Sequence, residues 1–508
     1  MSKSRTRNVA MNMSVSLLTQ ALMLVLNFVS RTVFIRTLGV DYLGVNGLFH
    51  NVLSILSFAE LGIGHAIVFS LYKPLAERDE DRLCSLMQLY KKVYRVIFIV
   101  VLTLGLAVIP FLDLFIKGKP NINENLIVIY LLYLFNTSIS YLYIYKQSII
   151  TADQKAYVVT SILTVANIVK VAVQILILFL FHDFLLFLII QIVCTVGGNI
   201  YCSRKADKLY PFIKNKPKPL DKSDSKKIFT DVKSMAAYKF GSIILNSTDN
   251  LLISALIDIT TVGLISNYTM LTGACNNILR PITRSFTASI GNLNATGTIE
   301  QKYNVFNKVL LITAWIYGMA SIGIVVISQY FVEIWVGKEF IMTPIVVIAL
   351  ISEFYVSGIH TLESHYRTTM GFFVKGRFAP ALAAILNIGL SFLFCRFWGV
   401  AGILLATSVA RVITLGVVDS YIIYKDGFHR SPWIYFIKNA GFLALFILIG
   451  LMCSWCVSLL AWHSWYGVIC QIIAVLLIYN GIMVLIFHRT QGFKEIVAAG
   501  KSLMKRKK

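Results

Sequence analysis

The sequence predicts an all-α polytopic membrane protein of about 14 transmembrane helices, arranged as two six-helix bundles in a parallel pseudo-repeat with two further C-terminal helices. Three observations predict it. Of 508 residues, 57% are apolar or aromatic and only 14% are charged, whereas soluble domains carry about 25% charge. That shortfall excludes an ordinary cytosolic enzyme, a disordered chain and a secreted disulfide scaffold. Long apolar stretches recur along the whole chain, and its Lys and Arg residues fall in alternate connecting segments. A net charge of +23 would point to nucleic acid in a soluble protein. Here it is a topology signal, and no nucleic-acid partner is expected.

A helix crossing the bilayer core needs roughly 20 mostly apolar residues. The first such stretch centres on Leu24 and carries Ser16, Gln20, Asn27 and Arg31 on one face. It has no short apolar core followed by a small-residue cleavage site, so a retained helix is expected. The second, centred on Ser57, carries Asn46, His50 and Glu60. The third and fourth centre on Leu102 and Asn136, and the fifth, around Val169, bears Asn167, Lys170 and Gln174. The sixth centres on Ile192 and is followed by the longest polar stretch, Ser203 to Lys233. The seventh, around Asn246, holds Lys239, Asp249 and Asn250, and the eighth, around Cys275, holds Thr269, Asn276, Arg280 and Arg284. The ninth centres on Ile316. The tenth, around Phe354, shows Glu353, Ser357, His360 and Glu363. Leu386 marks the eleventh, Arg411 with Thr407 and Thr414 the twelfth, and Phe446 and Leu476 the last two. The expected layout is a six-helix lobe over 1–202, a basic linker over 203–233, a second lobe over 234–424, two added helices over 425–487 and a basic tail over 488–508.

Orientation follows from basic residues. With the N-terminus inside, 36 of the 47 Lys and Arg fall in segments on that side, from Lys3–Arg7 to the tail after Arg489, and 6 fall on the other. Both termini are therefore expected in the cytoplasm. The basic linker and tail are also suited to anionic membrane lipids.

Sliding the chain by about 220 residues brings its halves into register. Asn167 falls on Asn387, Lys155 on Lys375, Gln191 on Arg411, Asn199 on Asp419 and Tyr201 on Tyr421. With a shift of 219, Gln20, Asn27 and Arg31 fall on Lys239, Asn246 and Asn250, and Gly44 falls on Gly263. A unit of six helices inserts both copies in the same orientation, the arrangement of alternating-access transporters.

A charge near the bilayer centre costs roughly 2.5–3.5 kcal/mol on insertion scales, so the charges within spans need a watery cavity or one another. The cations Arg31, Lys170, Lys239, Arg280, Arg284 and Arg411 are candidate ligands for an anionic substrate, because guanidinium and ammonium groups hold phosphate strongly at low dielectric. Glu60, Asp249 and Glu353 are either their salt-bridge partners or ion-coupling sites. The neutral Asn, Gln, Ser and Thr are expected mainly to bond helix to helix. Such a cavity suits an anionic amphiphile such as a pyrophosphate-bearing carrier lipid.

Enzyme signals are weak. His360 and His365 are five residues apart, not the four that puts both on one helix face for zinc. Cys453 and Cys456 form C-x-x-C inside an apolar helix, where packing is the expected role. There is no P-loop, dinucleotide fingerprint or nucleophile elbow. No catalytic residue, metal or cofactor is expected, and the short outer loops argue against a membrane-embedded glycosyltransferase.

The stretch from Arg31 to Phe49, Ala59-Glu-Leu-Gly-Ile-Gly64, Ser247-Thr-Asp-Asn-Leu-Leu-Ile-Ser254 and Gly263-Leu-Ile-Ser-Asn-Tyr268 resembles the polysaccharide-transporter (Wzx-like) flippases of the multidrug/oligosaccharidyl-lipid/polysaccharide (MOP) exporter superfamily. The resemblance implies a bacterial inner-membrane flippase that moves an undecaprenyl-pyrophosphate-linked oligosaccharide outward for capsule, O-antigen or exopolysaccharide. It also implies a polysaccharide polymerase and a chain-length regulator as partners. A drug or metabolite exporter of the same superfamily and a peptidoglycan lipid-precursor flippase are the alternatives.

Overall fold

The computed structural model describes residues 2–60, 63–117, 120–215, 241–372, 375–460 and 463–495, with residues 2–14, 16, 17, 58, 59, 63–69 and ten positions between 284 and 296 described by backbone alone. Every described element is helical. In order they are α1 (Ser2–Leu38), α2 (Val40–Leu56), α3 (Ile63–Glu77), α4 (Glu80–Val108), α5 (Leu126–Ala152), α6 (Ala156–Phe181), α7 (Phe184–Leu209) and α8 (241–256). They continue with α9 (Ile259–Thr296), α10 (Ile299–Trp335), α11 (Pro344–Thr369), α12 (Ala379–Arg411), α13 (Val417–Tyr421), α14 (Trp433–Leu459) and α15 (Trp465–Phe487).

Side-chain caps fix several starts, each satisfying an amide that the helix cannot. Asp79 accepts from Arg82 N, Asn125 from Ile127 N and Asp183 from Leu186 N, all at 2.8–2.9 Å. Thr298 and Gln301 form a capping box on α10. Among the described residues, 10 stretches are long and apolar enough to span a bilayer. Their outer faces carry exposed Phe397, Ile437, Trp433 and Leu485, which belong in lipid, since no such area is tolerated in water. The protein is an all-α polytopic membrane protein.

Every expected span centre except Ser57 lies in an α-helix. At Ser57 the chain forms a 3-10 turn, Ser57–Glu60, so the expected second span is two shorter helices, α2 and α3. Conversely, Ala379–Gly427 runs helically for 49 residues, about 74 Å at 1.5 Å per residue and more than twice the bilayer core. Its side-chain contacts resolve this. Thr407 and Ser391 both donate to Asn387 Oδ1, and a Cβ on Gly402 would strike Phe394 O. The register is that of an antiparallel hairpin reversing at Gly399, whose φ of 54° is left-handed. The eleventh and twelfth spans are thus the two arms of α12.

The chain divides into two compact units, Met1–Gly263 and Leu264–Lys508. In the first, Tyr90 and Tyr94 of α4 pack with Tyr141, Tyr145 and Ile149 of α5. The stretch placed in the linker begins as structure: α7 continues to Leu209, and Ile213 of the following 3-10 turn joins this core. In the second unit, α14 and α15 pack on α10, with Trp315 Nε1 donating to Asn480 at 2.9 Å and the Tyr479 hydroxyl to Trp315 O at 3.0 Å.

Two repeat-equivalent segments meet within the first unit. Thr260 donates to Asp41 at 2.6 Å, and Gly44 and Gly263 face each other so closely that a Cβ on Gly44 would lie 2.1 Å from Ile259 O. Small residues permit this backbone approach between membrane helices.

Candidate functional site

In the second unit, α11 places Glu353, His360 and Arg367 at intervals of seven residues, hence on one face. The outgoing arm of α12 and α13 present Arg411 and Asp419 to them. Arg411 donates to Glu353 at 2.8 Å, His360 Nε2 lies 3.1 Å from Asp419, and Arg367 lies 3.2 Å from the other Asp419 oxygen. Ser352 and Ser408 add a hydrogen bond at 2.8 Å. Partner numbers rise together, so α11 and this arm run parallel. Two π-helical turns, Val412–Gly416 and Ile422–Gly427, bracket Asp419; such bulges shift helix register and concentrate at functional sites.

Burial here is extreme. Asp419 is 0% exposed, Glu363 1% and Arg367 3%. Charges so removed from water persist only when paired, and Asp419 is held between His360 and Arg367. Glu363 stands on the same helix, with an Oε2 that has no hydrogen-bond partner among the described residues.

The first unit builds the same contact from neutral groups. Gln147 donates to Asn199 at 2.9 Å, and Asn199 donates to Ser140 at 3.4 Å. Adding 220 to these three numbers gives Arg367, Asp419 and His360. The two triads are repeat equivalents, one neutral and one charged.

Other polar groups of the first unit join helices. Tyr133 donates to Asn46 at 2.6 Å, Asn167 contacts Met23, and Gln174 donates to Phe187 O at 3.1 Å. The Tyr94 hydroxyl reaches Glu60 at 3.5 Å.

The candidate cations fare differently. Arg411 is 5% exposed and engaged by Glu353, which brings one candidate ligand and one candidate ion-pairing group together. Arg31 on α1 is half-buried and engaged, as is Asp249 on α8. Lys170 on α6 is half-buried and Arg280 on α9 is exposed, and neither has an ion-pair or hydrogen-bond partner among the described residues. Lys239 lies outside the described residues, as does the side chain of Arg284. Asp419 and Arg367 were missed as site residues. The first enters the sequence reading only as a repeat match, and the second only as one of the 36 basic residues counted on the cytoplasmic side. The seven-residue spacing from Glu353 through His360 to Arg367 was the available signal.

The sequence matches no protein-family profile and no curated protein. The fold, however, is shared with solved transporters. The lipid II flippase MurJ in an inward closed conformation is similar at a TM-score of 0.64 and 17% identity, over 93% of this chain and 98% of that one. An inward-facing multidrug resistance MATE family transporter of the MOP superfamily is similar at 0.65 and 13% identity, over 80% of this chain and 96% of that one. The Vibrio cholerae MATE transporter VcmN follows at 0.57 and 13%, over 82% and 96%.

Proposed function

We propose that the protein flips an undecaprenyl-pyrophosphate-linked oligosaccharide from the inner to the outer leaflet of the bacterial cytoplasmic membrane, by alternating access through a cationic cavity, for surface polysaccharide biosynthesis. The observation that carries this reading is that two cations on helices expected from the sequence to cross the membrane, Lys170 and Arg280, have no ion partner among the described residues. A charge retained at such cost serves a ligand of opposite sign. In this reading Arg31, Lys239, Arg284 and Arg411 complete the lining. Arg411 takes part by exchanging Glu353 for a substrate phosphate oxygen, since a guanidinium binds either anion in the same fork geometry. Glu60, Asp249 and Glu353 return as counter-charges or coupling sites when substrate leaves. The protein binds and moves its substrate without breaking a bond, has both termini in the cytoplasm, and delivers to a polymerase and its chain-length regulator.

A second reading, a peptidoglycan lipid-precursor flippase, is favoured by the likeness to MurJ over 93% of the chain. Both carrier lipids bear a pyrophosphate, so both readings use the same cations. The test is a reconstituted vesicle assay with each lipid labelled separately, scoring leaflet exposure by an impermeant quencher. Movement of the oligosaccharide lipid supports the proposal, and movement of the peptidoglycan precursor alone supports the second reading. Efflux of a cationic dye with neither lipid moving supports the exporter.

A further inference from the structure

We propose a second lipid site, distinct from the substrate path: a groove that seats the headgroup of an acidic glycerophospholipid on Lys438. The beginnings of α10 and α14 and the end of α15 enclose a groove of about 410 Å³, against about 30 Å³ for a water. One wall is apolar, formed by Leu310, Leu311, Phe442 and Phe487. The other is polar, with Asn307, Lys308, Lys438 and Glu495. This pairing of walls is the chemistry of an amphiphile.

The charge pattern selects its sign. Lys308 is neutralised by Glu495, which pairs with it directly. Lys438 donates instead to two neutral oxygens, Asn307 Oδ1 at 2.7 Å and the Tyr303 hydroxyl at 3.2 Å. It has no carboxylate partner among the described residues, and an ammonium carries three donors. The lining therefore holds one positive charge in excess. Around it, Arg430 lies 4.0 Å from the centroid of the Tyr303 ring and bonds Glu300 at 2.5 Å. That fixes the ring against which Lys438 packs at 5.2 Å. A phosphodiester with one negative charge completes the third donor, and its acyl chains leave along Phe442 and Phe487 into the bilayer. The site lies at the helix ends that carry Lys302–Lys308 and Lys438, which in the expected orientation is the side where acidic lipids attract cations.

The test is native mass spectrometry of the full chain in detergent, titrated with phosphatidylglycerol, phosphatidylcholine or inorganic phosphate, on wild type and Lys438→Gln. Thermal unfolding without lipid checks that each variant is folded. Wild type is expected to bind one phosphatidylglycerol more tightly than phosphatidylcholine, and Lys438→Gln to weaken that preference about tenfold, the worth of one charge-assisted hydrogen bond. Should Lys438→Gln not fold, Phe442→Trp, which fills the groove from its apolar wall, is expected to lose the same bound lipid. Equal phosphatidylglycerol affinity in wild type and a folded variant overturns the proposal. So does inorganic phosphate binding as tightly as the lipid, which makes the groove a simple anion site.

Discussion

Transplanting the neutral triad of the first unit into the second separates charge from architecture. Arg367→Ala alone leaves Asp419, 0% exposed, without its principal counter-charge. Breaking a buried pair from one side costs about 3–5 kcal/mol. Asp419→Asn alone removes the carboxylate 3.2 Å from Arg367, which is 3% exposed, at a comparable cost. The triple variant His360→Ser, Arg367→Gln, Asp419→Asn reproduces Ser140, Gln147 and Asn199, whose side chains already bond one another in this fold. No buried charge is then orphaned at these positions, and the net difference is a few neutral hydrogen bonds, each worth about 1 kcal/mol. The triple variant is therefore expected to unfold within about 2 kcal/mol of wild type, well below the sum of its single replacements. Detergent-unfolding titrations of the purified variants give these free energies. Additive losses, with the triple as unstable as the summed singles, would refute the equivalence of the two triads. A small loss for Arg367→Ala would show that Asp419 is not held by this pair.

Three further outcomes follow from the packing. Arg411→Leu leaves the Glu353 carboxylate without the guanidinium 2.8 Å from it and is expected to destabilise by about 3–5 kcal/mol, the cost of breaking a buried pair from one side; Glu353→Gln with Arg411→Gln is expected to recover most of it in the same unfolding titration, and no recovery would disprove the pairing. Gly44→Ala puts a Cβ 2.1 Å from Ile259 O and is expected to cost about 1–3 kcal/mol, while Gly197→Ala, with nothing within 4 Å, is expected to cost nothing; equal effects would contradict the close approach. Glu495 is half-buried, and its hydrogen bonds from Lys308 and then Gln491 lower its pKa. Its contribution is present above the ordinary carboxyl range and is lost as pH falls through the depressed value. Hydrogen exchange over 490–495 is therefore expected to speed up on acidification in wild type, and to be pH-insensitive beyond the intrinsic rate in Glu495→Gln.

Much of the fold was legible because a bilayer imposes length and polarity rules that a sequence displays directly. The span centres, the alternation of basic segments and the offset near 220 all rest on such rules. The break at Ser57 was harder to read, because the 3-10 turn Ser57–Glu60 differs from a helix by local hydrogen bonding, not by composition. At the site, depth in a span identified charged residues but could not pair them. Glu353 and Arg411 are 58 residues apart, and only the hairpin at Gly399 brings their helices alongside. Arg367 escaped notice because a basic residue near a helix end is also what topology demands. The matching of Asn199 with Asp419 proved more informative than it looked in sequence. It connects a neutral clamp to a charged one in the same place of the repeat.

The central claim is outward movement of a lipid-linked oligosaccharide, and its most direct test is the leaflet location of that lipid in a deletion strain. The account predicts that glycan-lipid accumulates on the cytoplasmic side, that the wild-type gene clears it, and that Lys170→Ala with Arg280→Ala, expressed and folded, does not. A deletion that leaves the distribution unchanged would contradict the flippase assignment, and clearance by the double variant would contradict the cationic cavity.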